Sequence, residues 1–321
     1  MTALPTRWSF SAERHGSLVA LAALALASSV MSPHFLQIQN LLNILRQVSY
    51  TGIIALGMTY VIIGGGIDLS VGSLAAFAGA LGVLAMNALG NAGRPEPLGV
   101  AAAALVAIAV GGAGGLVNGL MVTKGRIAPF IVTLGTMAIF RSLTLYLGDA
   151  GEFTSSNQLY SNIGSASVAF VPVPVWVFVL LAAACSLLLN RTRYGRYVRA
   201  VGSNSRVALY SAIDVDSVRM RTYLLTGLVV GVSALLISMR FNAVGSSTLG
   251  INYELDAIAA VIIGGTAMAG GSGTVWGTVV GAVTLGVINN MLNLVGVSPY
   301  LQGTVKGLVI ICAVLIQRRR N

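Results

Sequence analysis

The sequence predicts an all-α polytopic membrane protein of about ten transmembrane helices, with both termini in the cytoplasm. Three observations carry this. Of 321 residues, 56% are apolar and 9% charged, against roughly 25% charged in a soluble domain. No Asp, Glu, Lys or Arg interrupts 69–93, 97–123, 153–190 or 257–305, and each stretch can hold at least one span of about 20 residues. The apolar runs are continuous, whereas a transmembrane barrel alternates over segments of about ten residues. A single transmembrane domain over 1–321 leaves no room for a further soluble catalytic domain.

The spans follow in order. The first, 18–31, comes after Arg7 and Arg14 and offers Ala25-Leu26-Ala27 as a small-residue cleavage site. A chain already full of spans needs no removable signal, so it is read as retained. Next come 48–63, 71–89, 98–122, 127–147 and 168–189. A basic loop over 190–221 separates these from 222–239, 258–269, 274–297 and 300–316. With the N-terminus inside, Lys124, Arg126, the 190–221 loop and Arg318 to Arg320 all fall in the cytoplasm. The 148–167 loop, with Asp149 and Glu152 but no Lys or Arg, falls outside. That is the positive-inside pattern.

It also accounts for the net charge of +10. Seven of the 19 Lys and Arg lie between Arg191 and Arg221, so orientation explains the excess and nucleic acid is not implied. Cys185 and Cys312 sit inside apolar runs as small packing residues. His15 and His34 have no Cys or carboxylate at ligand spacing, so no metal site is indicated.

Glycine is abundant, at 39 residues. Gly111, Gly115 and Gly119, and again Gly273, Gly277 and Gly281, stand four apart on one helix face, where backbones can approach closely. Val61-Ile62-Ile63-Gly64-Gly65 recurs as Val261-Ile262-Ile263-Gly264-Gly265, each closing a short span. Short, Gly-interrupted segments point to a transport path, and the same topology orients both copies alike.

The chemistry narrows further. Lys124 and Lys306 are the only lysines and neither completes a Walker motif, so the chain is not itself a P-loop ATPase. No carboxylate lies deep inside a span, which weighs against a proton-coupled carrier. The 190–221 loop is the one sizeable cytoplasmic element. A Gly turn at Gly202 before a short amphipathic helix through Ala208 and Ile213 gives it either a docking role or a purely orienting one.

Several blocks together resemble the permeases of ribose, arabinose and galactose ABC importers, the second carbohydrate-uptake class, distantly similar to branched-chain amino-acid permeases. They are Gly65-Gly66-Ile67-Asp68-Leu69-Ser70-Val71-Gly72-Ser73, then Pro129 through Gly135 with Arg141, and Thr192-Arg193-Tyr194-Gly195-Arg196-Tyr197. Tyr253 through Val261 follows, running into Gly264-Gly265-Thr266 and Gly270-Gly271, and then Asn289-Asn290. The resemblance covers the chain from about Phe35 onward. It implies a monosaccharide permease of the bacterial inner membrane, not an enzyme, that binds no cofactor itself. The expected partners are an ATP-binding-cassette ATPase that uses ATP and Mg, a periplasmic or lipid-anchored solute-binding protein, a second permease copy and membrane lipid.

The resemblance further implies an ATPase-coupling element at Tyr194, Gly195, Arg196, Ala200, Gly202, Asn204, Ala208 and Ile213. The family usually has Gly where Ser203 and Ala212 stand and Ala where Val207 stands. Candidate pathway or gate groups are Asp68, Ser70, Ser73, Asn118, Thr133, Gly264, Gly265 and Asn289. Asp68 reads equally as an N-cap of the third span. Glu254 and Asp256 are placed at the outer face, as helix caps or as contacts for the binding protein. Arg141 and Lys306 are expected to snorkel to the headgroups.

Overall fold

A computed structural model describes residues 12–318. The chain is helical almost throughout. In order come α1 (Ala12–Met31), α2 (Ile38–Ile63), α3 (Val71–Asn91), α4 (Glu96–Thr123), α5 (Pro129–Leu147), α6 (Gln158–Ser165) and α7 (Val173–Arg191). Then follow α8 (Arg193–Ser203), α9 (Ser205–Tyr210), α10 (Val215–Phe241), α11 (Tyr253–Ile263), α12 (Val275–Leu294) and α13 (Pro299–Arg318). Two small antiparallel ladders pair β1 (Glu152–Thr154) with β4 (Ala243–Gly245), and β2 (Ser167–Val168) with β3 (Val171–Pro172).

Local chemistry sets the helix starts. Pro129 opens α5, where the missing N–H has no intrahelical partner to lose. Thr192, Asn204, Asp214 and Thr274 each accept a backbone N–H through the side chain at the starts of α8, α9, α10 and α12.

The core is built around α2. Ile53, Ile54, Ala55 and Leu56 are fully buried in succession, which requires cover on every side of that helix. The cover comes from α7, α10, α11 and α12. A helix enclosed by protein need not be apolar throughout, so α2 carries Arg46, Ser49 and Thr59. By contrast α5 is only 22% buried, with Phe130, Ile131 and Ile139 facing outward. The Gly strings are contact faces. Gly111 and Gly115 of α4 lie against Gly227 of α10, and Gly277 and Gly281 of α12 lie against Gly264 and Ala260 at the end of α11. Added Cβ atoms would overlap backbone at each.

Several boundaries differ from the sequence reading. Among the described residues six helices are long and apolar enough to cross a membrane: α3, α4, α5, α7, α10 and α12. α2 begins at Ile38 and has 26 residues, so the first Val-Ile-Ile-Gly-Gly copy does not close a short span. The second does: α11 has 11 residues, about 16 Å at 1.5 Å per residue, roughly half a bilayer core. The 258–269 span is therefore a half-helix followed by a loop. α10 starts at Val215, so the last part of the 190–221 loop belongs to that long helix. Arg7 and the end of the Arg-rich tail, Arg319 and Arg320, lie outside the described residues, whereas Ala25-Leu26-Ala27 lies within α1.

Candidate functional site

The two sequence copies share one local structure. After α2, the Gly65 N–H donates to the Ile62 carbonyl (2.9 Å) and the Gly66 N–H to Val61 (2.8 Å); after α11, Gly265 donates to Ile262 (2.9 Å) and Thr266 to Val261 (3.1 Å). This is the Schellman termination, with the left-handed residue supplied by Gly65 (φ 79°) and Gly265 (φ 88°). The echo is thus a repeated helix stop.

The first stop is the receptor for α8. The Ile63 carbonyl accepts from the Gly271 N–H (2.8 Å). A Cβ on Gly202 would overlap that same carbonyl oxygen and come within 2.6 Å of Gly271 N. Gly270 (φ 90°) in turn faces Gly65 and the Gly202 carbonyl. Three backbones from distant parts of the sequence therefore touch with no side chain between them. Gly202 lies inside the last turn of α8 and has no left-handed backbone, which corrects the Gly-turn reading; close approach, not special torsion, excludes other residues there. Tyr194 adds a second contact, its ring stacked on Tyr60 of α2 with centroids 6.2 Å apart. Burial raises the Tyr194 phenol above its ordinary range.

Other residues of the coupling set hold the hairpin together. Gly195 is packed on the Leu189 carbonyl, leaving no space for a Cβ. Asn204 Oδ1 accepts from the N–H groups of Arg206 (3.0 Å) and Val207 (3.1 Å). The Ala208 carbonyl accepts from the Ile213 N–H (3.1 Å) and Leu209 from Ala212 (3.0 Å), another Schellman stop in which Ala212 (φ 58°) holds the left-handed position. That explains why Gly suits this site. Arg196 is exposed and Ala200 half-buried.

The pathway candidates divide. Asp68, Ser70, Ser73 and Asn118 do come together, all at most 2% exposed. Asp68 Oδ1 accepts from the Ser70 N–H (2.9 Å) and hydroxyl (2.7 Å), and Asn118 Nδ2 donates to Ser70 Oγ (2.8 Å). Ser73 Oγ donates to the Ser70 carbonyl (2.9 Å). Asp68 does not cap α3, since its bond to Ser70 stops short of the helical N–H groups; this corrects the N-cap reading. Asp68 Oδ2 and Asn118 Oδ1 have no hydrogen-bond partner. Tyr223, which sequence spacing did not single out, closes the cluster by donating to the Ile67 carbonyl (3.1 Å). Thr133, on α5, instead donates to the Pro129 carbonyl (2.9 Å). Gly264 and Gly265 end α11. Asn289, on α12, lines a separate cavity.

Glu254 and Asp256 are half-buried. The turn before α11 packs Gly250 (φ 79°) against the Gly72 carbonyl, and Glu254 Oε2 lies beside Gly72. The N-termini of α3 and α11 therefore meet inside the bundle. Asp256 pairs with Lys306 at 3.0 Å, the two side chains 14% and 23% exposed. Arg141 donates to the carbonyls of Ser246 (2.8 Å) and Leu249 (2.9 Å), pinning this turn. Each cation satisfies an internal acceptor. Among the described residues no three His, Cys, Asp or Glu side chains cluster as a metal site, and Cys185 is buried and free.

Comparison with known proteins places this architecture. The family described as "Branched-chain amino acid transport system / permease component" matches residues 40–314. The chain belongs to this permease family. It is 40% identical over 311 residues to the ribose import permease protein of Bacillus subtilis, covering 96% of this chain and 94% of that one. It is 41% identical over 313 residues to the ribose import permease protein of Escherichia coli, covering 95% and 94%. The L-arabinose transport system permease protein of Escherichia coli is 31% identical over 309 residues, covering 96% and 92%. The permease chain is thus a multi-pass membrane protein, similar along nearly its whole length to transport subunits.

Proposed function

We propose that this permease forms the translocation path for a monosaccharide, a ribose-like pentose or a hexose, in an ATP-driven importer of the bacterial inner membrane. The observation that carries this is identity near 40% over almost the entire chain to ribose import permeases. Ten membrane segments, α1–α5, α7 and α10–α13, place α8 and α9 with both termini on the cytoplasmic side, where Arg191, Arg193, Arg196 and Arg206 agree with the positive-inside pattern. The chain has no nucleotide-binding motif, so ATP and Mg belong to a partner ATPase, and a solute-binding protein delivers the sugar. A second permease copy completes the path, one coupling hairpin facing each nucleotide site.

The geometry supports a mechanism for coupling. A push on α8 has no side chain to compress at Gly202, so it passes directly to the end of α2 and to the Gly270-Gly271 turn. That turn connects α11 to α12, so one displacement reaches the central helix and the half-helix together. Such motion between rigid packed elements is how closure of one component moves another.

The test is ATP-driven uptake of radiolabelled sugars into proteoliposomes holding permease, ATPase and a panel of purified binding proteins. Uptake of D-ribose or another monosaccharide, lost without the ATPase, is expected. A same-architecture permease for branched-chain amino acids is the second reading, favoured by the family's description, and would take up leucine instead. Uptake without any ATPase would identify a stand-alone carrier.

A further inference from the structure

A cavity of about 480 Å³ lies between α2, α10, α11, α12 and α13, inside the roughly 300–1,000 Å³ range of small-molecule sites. Two residues on its wall, Tyr50 and Asn289, each carry a buried polar atom without a partner. Tyr50 is 7% exposed, and its hydroxyl makes no hydrogen bond. Asn289 Oδ1 is buried and likewise unbonded. The Asp256–Lys306 ion pair is also on the wall, as are Arg46 and Arg240, which have no carboxylate within ion-pair distance among the described residues.

This set of groups discriminates between ligands. The arginines and the Tyr50 O–H can donate, which any anion would satisfy. Asn289 Oδ1 and the Asp256 carboxylate only accept, and a simple anion would leave the first unmet and be repelled by the second. A polyol satisfies both, because every hydroxyl donates and accepts. The rings of Tyr50 and Tyr253 offer apolar surface for the C–H face of a sugar. The cavity wall is also connected to the coupling hairpin: α11 carries Asp256 in its first turn and ends at Gly264, ahead of the Gly270-Gly271 turn that abuts Gly202.

We propose that this cavity is a monosaccharide subsite within a single permease chain, with Tyr50 donating to, and Asn289 accepting from, hydroxyls of the sugar. The proposal rests on the monosaccharide reading above. Binding there is weak, because each neutral hydrogen bond replaces one to water and contributes modestly. A transport path requires that: occupancy must form and also end.

Two measurements test it. Gln47, exposed on the cavity wall, is changed to Cys in the full chain in lipid nanodiscs and labelled with N-ethylmaleimide, the unsubstituted chain serving as blank. Millimolar D-ribose is expected to slow labelling and sodium sulfate to leave it unchanged. Slowing by sulfate and not by ribose would make this an anion site and overturn the proposal, as would no effect of either. In the reconstituted importer, Tyr50→Phe and Asn289→Leu are each expected to lower D-ribose uptake about fivefold, the effect of one lost hydrogen bond, with binding-protein-stimulated ATP hydrolysis unchanged. Because the Tyr50 hydroxyl has no partner within the protein, Phe removes no internal bond there. Wild-type uptake in both variants overturns the subsite while the monosaccharide reading stands. If the unsubstituted importer itself takes up no monosaccharide, the function reading falls and the subsite with it.

Discussion

At Gly202 the decisive quantity is one methyl group. Its hydrogen faces the Ile63 carbonyl with no room for a carbon, and overpacking of this kind forces backbone shifts costing about 1–3 kcal/mol. Gly202→Ala is therefore expected to abolish the stimulation of ATP hydrolysis by liganded binding protein while the chain still inserts at normal yield. Normal stimulation and uptake would remove the α8–α2 contact from the mechanism. Asp68 presents a different question. It is fully enclosed, one oxygen is unpartnered, and no cation lies within ion-pair distance among the described residues. An ionised carboxylate so placed is costly, yet Asn makes the same side-chain turn without that cost. An Asp here points to a role for the acid itself. Asp68→Asn is expected to stop uptake with complex yield unchanged, and Asp68→Glu to retain part of it. Full uptake by the Asn variant would assign the residue to structure alone.

Among the elements, helix stops matter as much as helices. Six described helices share the Schellman pattern, α2, α3, α5, α9, α11 and α12, and four of them use glycine at the left-handed position. α5 uses Asp149 and α9 uses Ala212, where a Cβ in left-handed geometry costs roughly 1–2 kcal/mol. Ala212→Gly is expected to raise stability by about 1 kcal/mol, net of the greater freedom of Gly in the unfolded chain, seen as a higher midpoint in thermal unfolding of the purified permease. A lower midpoint would mean that the stop is held by contacts other than its backbone. The half-helix α11 is the element that hydropathy describes worst. Its 11 residues match about half a bilayer core in length, and the turn before it is irregular backbone held by Arg141 and the Gly250–Gly72 contact.

For the whole molecule, the testable property is sidedness. α10, with 27 residues or about 40 Å, separates the α8–α9 hairpin from the β1–β4 ladder. Ser203 and Ser156 are exposed at these two ends. Cysteine placed at each is expected to react with an impermeant reagent from opposite sides of the membrane, Ser203→Cys from the cytoplasm. Labelling of both from one side would sink the ten-segment arrangement.

The sequence by itself determined the class of protein, because charge-free apolar runs have one stable destination, and the family blocks from Gly65 to Asn290 point to a permease. It also marked the Asp68, Ser70, Ser73 and Asn118 group, three of them local in sequence. Tertiary structure decided why particular residues stand where they do. Gly202 must be glycine because of a carbonyl on α2. Lys306 and Arg141 are held inward by acceptors on other segments. Asn289 is separated from Asp68 by packing that no spacing encodes. Periodicity reports what one helix presents to its surroundings; it carries no record of which distant backbone arrives there, and in this chain those arrivals, glycine against carbonyl and cation against acceptor, define the candidate sites.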